Sequence, residues 1–441
     1  MTVQVNRTEA ETALSHQFAE LAPGLPGANG VPQLRQQAMR AFETVGLPHR
    51  RIEEWKYTDL RNGLKSAFAP AQCSSLKVDQ ELVAKAVGPA LADMPAIRLV
   101  LVNGRFVARL LPEGADWPQG LEAEAFSGVV GTPGHAWIEA CLARGVKDGE
   151  EADPVLSLNA AFASDGIVLL VGKGCHVDLP VHIISIIEAD NPKAVAVRNL
   201  VKVDEGGAAT VIEGHVTLGS ASSQTTAVTQ VAVGKGARLD HVKHMSGLEA
   251  STHIGRWDVR LAEKAVYRGF QLSAGVGLMR NESRLTFDGS DAALDLSGLM
   301  LGRNRDHMDT TLVVNHEHPG CESRELFKAV LDDRARAVFQ GQVVVTPEAQ
   351  KTDGKQMAQA LMLSEDAEFD AKPELEIYAD DVACGHGATS AEIDLEMLCY
   401  LRSRGIPETE ARAMLIESFA GETFERLENE ALREALRGMA L

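Results

Sequence analysis

The sequence predicts a mainly β protein, a parallel β-helix core flanked by helical regions at both ends. Three observations predict it. A corner-like string recurs through the middle of the chain, the composition suits short strands and tight turns, and helical periodicity is confined to the two ends. The 441 residues allow about three domains at ~150 residues each, and can bury a large core without disulfides or metals. Hydrophobic residues make up 45% and charged residues 24%, which excludes wholesale disorder. Aromatics are only 5% while glycines number 39, a balance toward small residues and turns.

The first region, residues 1–150, reads as mostly helical with a small hairpin. Leu34, Ala38, Ala41, Phe42 and Val45 recur at helical spacing. Ile97 to Val102 is an apolar run, Asn103-Gly104 is a turn dipeptide, and Phe106 to Leu111 returns. Trp55-Lys-Tyr57 reads as packing within this region.

The second region, residues 151–390, is strand after strand. Val171-Gly-Lys-Gly-Cys-His-Val-Asp178 matches Val233-Gly-Lys-Gly-Ala-Arg-Leu-Asp240. Looser copies begin at Val203, Leu261, Leu331 and Leu363, at intervals of about thirty residues or multiples of that. Each copy is an apolar residue, a polar turn, a small residue and a strand. One rung cannot bury its apolar face alone, whereas stacked rungs share a continuous core. A β-sandwich is the alternative, but it needs no corner at a fixed period.

The third region, residues 391–441, returns to helical period. Asp394 is placed to N-cap a helix carrying Leu395, Leu398 and Leu401, stopped by Gly405. Pro407 suits the first turn of a second helix with Ala411, Met414, Leu415 and Phe419 apolar, and Glu422 to Met439 reads as a third. Helices in this position are expected to cap the open end of a solenoid or to offer a groove or ridge to a partner. Cys399, on the first of them, reads as core.

The formal net charge of −19 argues against a nucleic-acid or anionic-membrane partner, since both need basic patches. Met1 to Glu20 lacks the apolar segment of a secretory signal, and no stretch approaches the ~20 apolar residues of a membrane span. Six scattered cysteines with no C-x-x-C fit reduced thiols, so a cytoplasmic location is expected. Gly172-Lys-Gly174 and Gly234-Lys-Gly236 come nearest to a P-loop but open no helix, and no G-x-S-x-G elbow exists. Cys175-His176 lies within a repeat copy and reads as solenoid wall.

Two strings carry ligand chemistry. In His316-Glu-His318-Pro-Gly-Cys321, strand alternation puts both imidazoles on one side, with the thiol just past a turn. A zinc or iron site there needs further ligands, and a polar corner with satisfied histidines is the plain alternative. Cys384-Gly-His386 sits among glycines that suggest a tight exposed loop presenting a thiol and an imidazole together. Two ligands cannot close a four-coordinate site, so a partner must supply the rest.

Several strings together resemble the SufB/SufD family of SUF-system iron–sulfur cluster assembly proteins, and within it the SufD branch. They are Glu53-Glu-Trp-Lys-Tyr-Thr58, Arg198 to Gly206, and His318 to Val345 with Phe327-Lys328 and Phe339-Gln-Gly341. Lys372 to Asp381 leading into Cys384-Gly-His-Gly-Ala-Thr389, and Leu401-Arg-Ser-Arg-Gly405, complete the set. The resemblance spans nearly the whole chain. It implies that the β-helix is right-handed, and that the chain is a non-catalytic scaffold subunit of a SufBCD complex. It implies pairing with SufB through the β-helix ends, or a homodimer when the chain is alone. It also implies docking of the SufC ATPase through the helices between Asp394 and Leu441. The cargo is a transient iron–sulfur cluster or iron at the SufB interface, and the matching ligand is His386, with Cys384 beside it. No firmly bound cofactor is expected in the isolated chain. The rival reading, a β-helix enzyme acting on polysaccharide or acyl groups, calls for a cluster of acids or bases on one face or a hexapeptide repeat. The sequence shows neither. A zinc protein built on His316, His318 and Cys321 is the third reading.

Overall fold

The computed structural model describes residues 7–147 and 149–440. The first six residues of the polar N-terminal stretch, Asp148 in the first region and Leu441 at the end of the third lie outside the described residues. The chain opens with helices α1 (Glu9–Leu21) and α2 (Val31–Val45) and the short turns α3 (Leu60–Gly63), α4 (Gln80–Val87) and α5 (Pro89–Asp93). Thr8 closes a capping box on Glu11 at the head of α1. Strands β1 (Ile97–Val102), β2 (Arg105–Leu110) and β3 (Leu121–Ala125) follow, then α6 (Phe126–Val129), α7 (Ala136–Ala143) and α8 (Pro154–Phe162).

The core is a parallel β-solenoid of about eight turns. Its strands run in chain order: β4 (Ile167–Val171), β5 (Val181–Ala189), β6 (Lys193–Val203), β7 (Ala208–Gly219), β8 (Ser223–Val233) and β9 (Arg238–Ser246). Next come β10 (Leu248–Leu261), β11 (Val266–Ala274), β12 (Val276–Phe287), β13 (Ala293–Gly302) and β14 (His307–His316). The last are β15 (Glu322–Leu331), β16 (Arg336–Val345), β17 (Asp353–Met362), β18 (Glu368–Ile377) and β19 (Ala383–Glu392). Odd strands from β5 form one sheet and even strands the other. The hairpin expected in the helical region is built into the solenoid. β1 pairs parallel with β5 and antiparallel with β2, and β3 pairs antiparallel with β4.

The repeated string is one corner of each rung. Gly174, Gly206 and Gly236 adopt positive φ there, a conformation that glycine enters without a Cβ clash. Their amides donate to the next rung, Gly206 to the Lys235 carbonyl at 3.0 Å and Gly236 to the Glu263 carbonyl at 2.9 Å. The corner is therefore a hydrogen-bonded ladder, and this is why its sequence recurs. The copies at Leu331 and Leu363 form the opposite corner, between β15 and β16 and between β17 and β18.

Alternate residues point into the lumen, where Ile183, Val211, Leu239, Tyr267 and Leu296 meet Val197, Val231, Val259 and Leu285 from the other sheet. The middle of this lumen is polar. Glu213 accepts from His241 Nε2 at 2.6 Å, Trp257 Nε1 at 3.1 Å and Thr229 Oγ1 at 3.0 Å. Those bonds satisfy a carboxylate that burial alone would make costly.

The N-terminal signature string is a clasp. Trp55 is buried with Val155, Ile254 and Leu278 and stacks under the Arg280 guanidinium at 3.9 Å. Arg280 pairs with Asp309 at 2.6 Å, and Thr58 Oγ1 donates to the same carboxylate at 2.5 Å. Gln340 Nε2 reaches the Glu54 carbonyl at 3.3 Å. Residues 53–58 thus bind the outer face of the even sheet across several rungs.

Helices α9 (Leu395–Ser403), α10 (Glu408–Phe424) and α11 (Glu430–Ala440) correct three expectations. They do not cap the end of the solenoid. Ala420, Phe424, Leu432 and Leu436 pack against Phe270, Leu272 and Leu299 on the outer face of the odd sheet. Lys328 locks α10 down by bonding the Phe419 carbonyl at 3.0 Å and Glu422 at 2.5 Å. The third helix begins at Glu430 rather than Glu422, because α10 continues to Phe424. Cys399 is exposed rather than core, since α9 buries only Leu398. The capping residue is as expected: Asp394 accepts from the amides of Glu396 at 2.8 Å and Met397 at 3.1 Å.

Candidate functional site

Because the helices lie along the flank, the last rung is uncovered. β19 and β18 are terminal strands, each with one edge that has no neighbouring strand among the described residues. Such an edge is a template for another chain. Ile377 and Tyr378 are exposed beside it.

Cys384-Gly-His386 is not a loop. It lies within β19, with neither Gly385 nor Gly387 in the positive-φ region, and Cys384 pairs with Gly354 and His386 with Gln356 of β17. One rung further in, Ser323 pairs with Gly354 and Glu325 with Gln356. Two inward-facing rows result, Ser323–Gly354–Cys384 and Glu325–Gln356–His386. Strand alternation puts Cys384 and His386 on one side, about 6.6 Å apart along the backbone. Cys384 is half-buried against the core, and burial raises its thiol pKa, so the resting group is a neutral thiol. His386 is exposed, because no rung covers it.

Behind these two residues the lumen stays polar. Glu325 and Gln356 are each 2% exposed; among the described residues the Gln356 amide has no hydrogen-bond partner, and the Glu325 carboxyl has only the Ser323 hydroxyl near it, without a well-formed bond. Desolvation pushes the Glu325 carboxyl up to about 8. The Gln356 amide fills the space above Gly341 on the opposite sheet, where a Cβ would lie 2.4 Å from Nε2. Sequence reasoning missed Glu325 and Gln356. The signal was present, since Gln356 precedes His386 by one repeat period and Glu325 by two.

The other metal-like string separates. His316 is buried in the lumen, 3.1 Å from Ser323 Oγ and tilted against Phe287, and burial pushes it down to about 4. His318 sits in the turn beyond β14. Cys321 is buried with its Sγ 3.3 Å from the Gly289 carbonyl. Among the described residues, no three His, Cys, Asp or Glu side chains are arranged to hold a metal ion. Cys175, half-buried, and His176 stay on the corner, with Cys175 Sγ 3.2 Å from the Gln119 carbonyl and His176 Nε2 3.2 Å from the Gly206 carbonyl.

A second exposed surface lies on the C-terminal helices. Leu395 is 68% exposed, and Met397, Tyr400 and Met414 are also exposed. Large apolar side chains grouped on a helix pair are a mark of a partner surface. No helix among the described residues is long and apolar enough to cross a membrane.

Fold and site together define a two-sheet β-solenoid with an open terminal rung that presents a thiol and an imidazole, and with helices along its flank. The SUF system FeS cluster assembly SufBD core domain family matches residues 185–419, and the SufBD protein N-terminal region matches residues 27–183. The chain belongs to the SufB/SufD family. It is similar to iron–sulfur cluster assembly protein SufD of Escherichia coli, 31% identical over 92% of each chain. It is also similar to an iron–sulfur cluster assembly SufBD family protein of Synechocystis, 29% identical over 91% of this chain and 89% of that one. SufD of Bacillus subtilis is 28% identical over 66% of this chain and 67% of its own length.

Proposed function

We propose that this chain is a non-catalytic scaffold subunit of a SUF-type iron–sulfur cluster assembly complex. Family membership supports the assembly role. The open last rung is the observation that carries the finer reading. A SufB-type subunit pairs through the free edges of β18 and β19, where main-chain hydrogen bonds supply affinity without side-chain complementarity. A second copy of this chain uses the same edge when the partner is absent. A SufC-type ATPase docks on the exposed face of α9 and α10.

The cargo is a nascent cluster or iron held between the two subunits. His386 is the ligand this chain contributes, because its imidazole is exposed at the edge the partner covers. Cys384 lies on the same side and supports it, but its protonated thiol must first lose a proton to ligate. Few ligands on a separable interface suit a cluster that must be passed on, whereas a closed four-ligand cage retains its metal.

Co-expression with SufB- and SufC-type partners, followed by light scattering, tests the assembly. A stable complex containing this chain is expected, and His386→Ala is expected to leave the complex intact while cluster formation falls. A chain that ignores both partners would overturn the reading.

A further inference from the structure

We infer that Glu325 and Gln356 form a divalent-cation site inside the lumen, one rung behind the open end. The inference goes beyond the scaffold reading and does not depend on it. Interiors rarely leave a carboxyl and a carboxamide unpartnered, and each such group costs on the order of 1–3 kcal/mol. Here both are 2% exposed and adjacent in register; among the described residues the Gln356 amide has no hydrogen-bond partner, and the Glu325 carboxyl has only the nearby Ser323 hydroxyl, at no better than marginal geometry. The Gln356 amide does not bond the neighbouring Glu325 carboxyl, the simplest way to satisfy both. Successive rungs are about 4.8 Å apart, so the two side chains need to lean together by only about 0.6 Å for an oxygen of each to lie about 2.1 Å from one ion.

The donors select the ion. A carboxylate and an amide carbonyl are hard oxygen ligands, suited to Mn(II), Fe(II) or Mg(II), which keep part of their water shell. That water supplies the remaining positions, so no third acidic or sulfur ligand is needed. The Ser323 hydroxyl, two residues before Glu325 on the same strand and bonded to His316, is a further oxygen on this wall. Glycine at Gly341 leaves the room that the Gln356 amide occupies.

The test uses the full chain, stripped with chelator and titrated with Mn(II) while free Mn(II) is read by electron paramagnetic resonance. One Mn(II) per chain is expected. Glu325→Gln and, separately, Gln356→Leu should each weaken binding at least tenfold. The double variant Cys384→Ser/His386→Ala should bind within about threefold of the parent, which separates this site from the outer ligands. Absence of bound Mn(II), unchanged binding in both inner variants, or loss only in the outer double variant would each overturn the inference. Circular dichroism checks that each variant folds, and either inner variant alone carries the test. Because the isolated chain is used, failure here leaves the complex-assembly experiment standing, and the reverse also holds.

Discussion

Replacing Glu325 by glutamine should stabilise the metal-free protein, and the gain should grow with pH. The carboxyl is 2% exposed, and desolvation pushes it up to about 8. The charges that bear on it come from three elements: Asp295 on β13 raises it further, while Arg324 on β15 and Arg426 beyond α10 lower it. Among its uncharged lumen neighbours Ser323, Gln356 and Cys384, the Ser323 hydroxyl also lowers it by hydrogen bonding, without offsetting the desolvation. In the unfolded chain the same group ionises near 4.3. Between those two values the folded state holds a proton that the unfolded state has released. Stability therefore falls as pH rises through that window and levels off above about 8. At about 1.4 kcal/mol for each tenfold change, the cost approaches an upper bound of about 5 kcal/mol at high pH and about 4 kcal/mol at pH 7. Glutamine mimics the protonated acid in shape and carries no such cost. Urea denaturation of both proteins in chelator, from pH 5 to pH 8.5, reads the difference directly. Groups that titrate alike in both proteins cancel. The expected result is near equality at pH 5 and a variant more stable by several kcal/mol at pH 8.5. A difference that does not change with pH would refute the reasoning.

Three further outcomes follow from the geometry. Trp55→Ala removes the clasp and the ring stacked on the Arg280 guanidinium, which keeps its Asp309 pair, so a loss of about 3 kcal/mol and new protease cleavage near residues 50–64 are expected. Leu395→Ala with Tyr400→Ala should change stability by less than about 0.5 kcal/mol, since both side chains are exposed, yet weaken ATPase-subunit binding at least tenfold by calorimetry. His386→Ala should likewise leave the melting temperature unchanged while lowering cluster content in the reconstituted complex, read from visible absorbance.

Much of the candidate site was legible because the solenoid repeats. The corner string announces itself wherever the backbone needs positive φ and a rung-to-rung bond, as at Gly174 and Gly236. Cys384 and His386 stand out as ligand types close together. Their setting was misread. Glycines on either side of His386 suggested a loop, but in β19 they are extended residues on a terminal strand, and pairing with β17 overrides their local preference. Cys399 was misread for the same kind of reason. Helical spacing shows that α9 has an apolar stripe but not which part of it is covered, and packing against α10 buries Leu398 alone.

By itself the sequence determined the rung period, the two helical ends and the Asp394 cap, and it set a thiol and an imidazole two residues apart at Cys384 and His386. These depend on local backbone geometry and on chemistry carried by each side chain. Only the tertiary structure decided that the C-terminal helices lie on the flank and leave the last rung open. It alone placed His386 above Gln356 and Glu325, and it alone drew His316, His318 and Cys321 apart. Those outcomes depend on which faces meet when rungs stack, and no stretch of sequence shorter than a full turn contains that information.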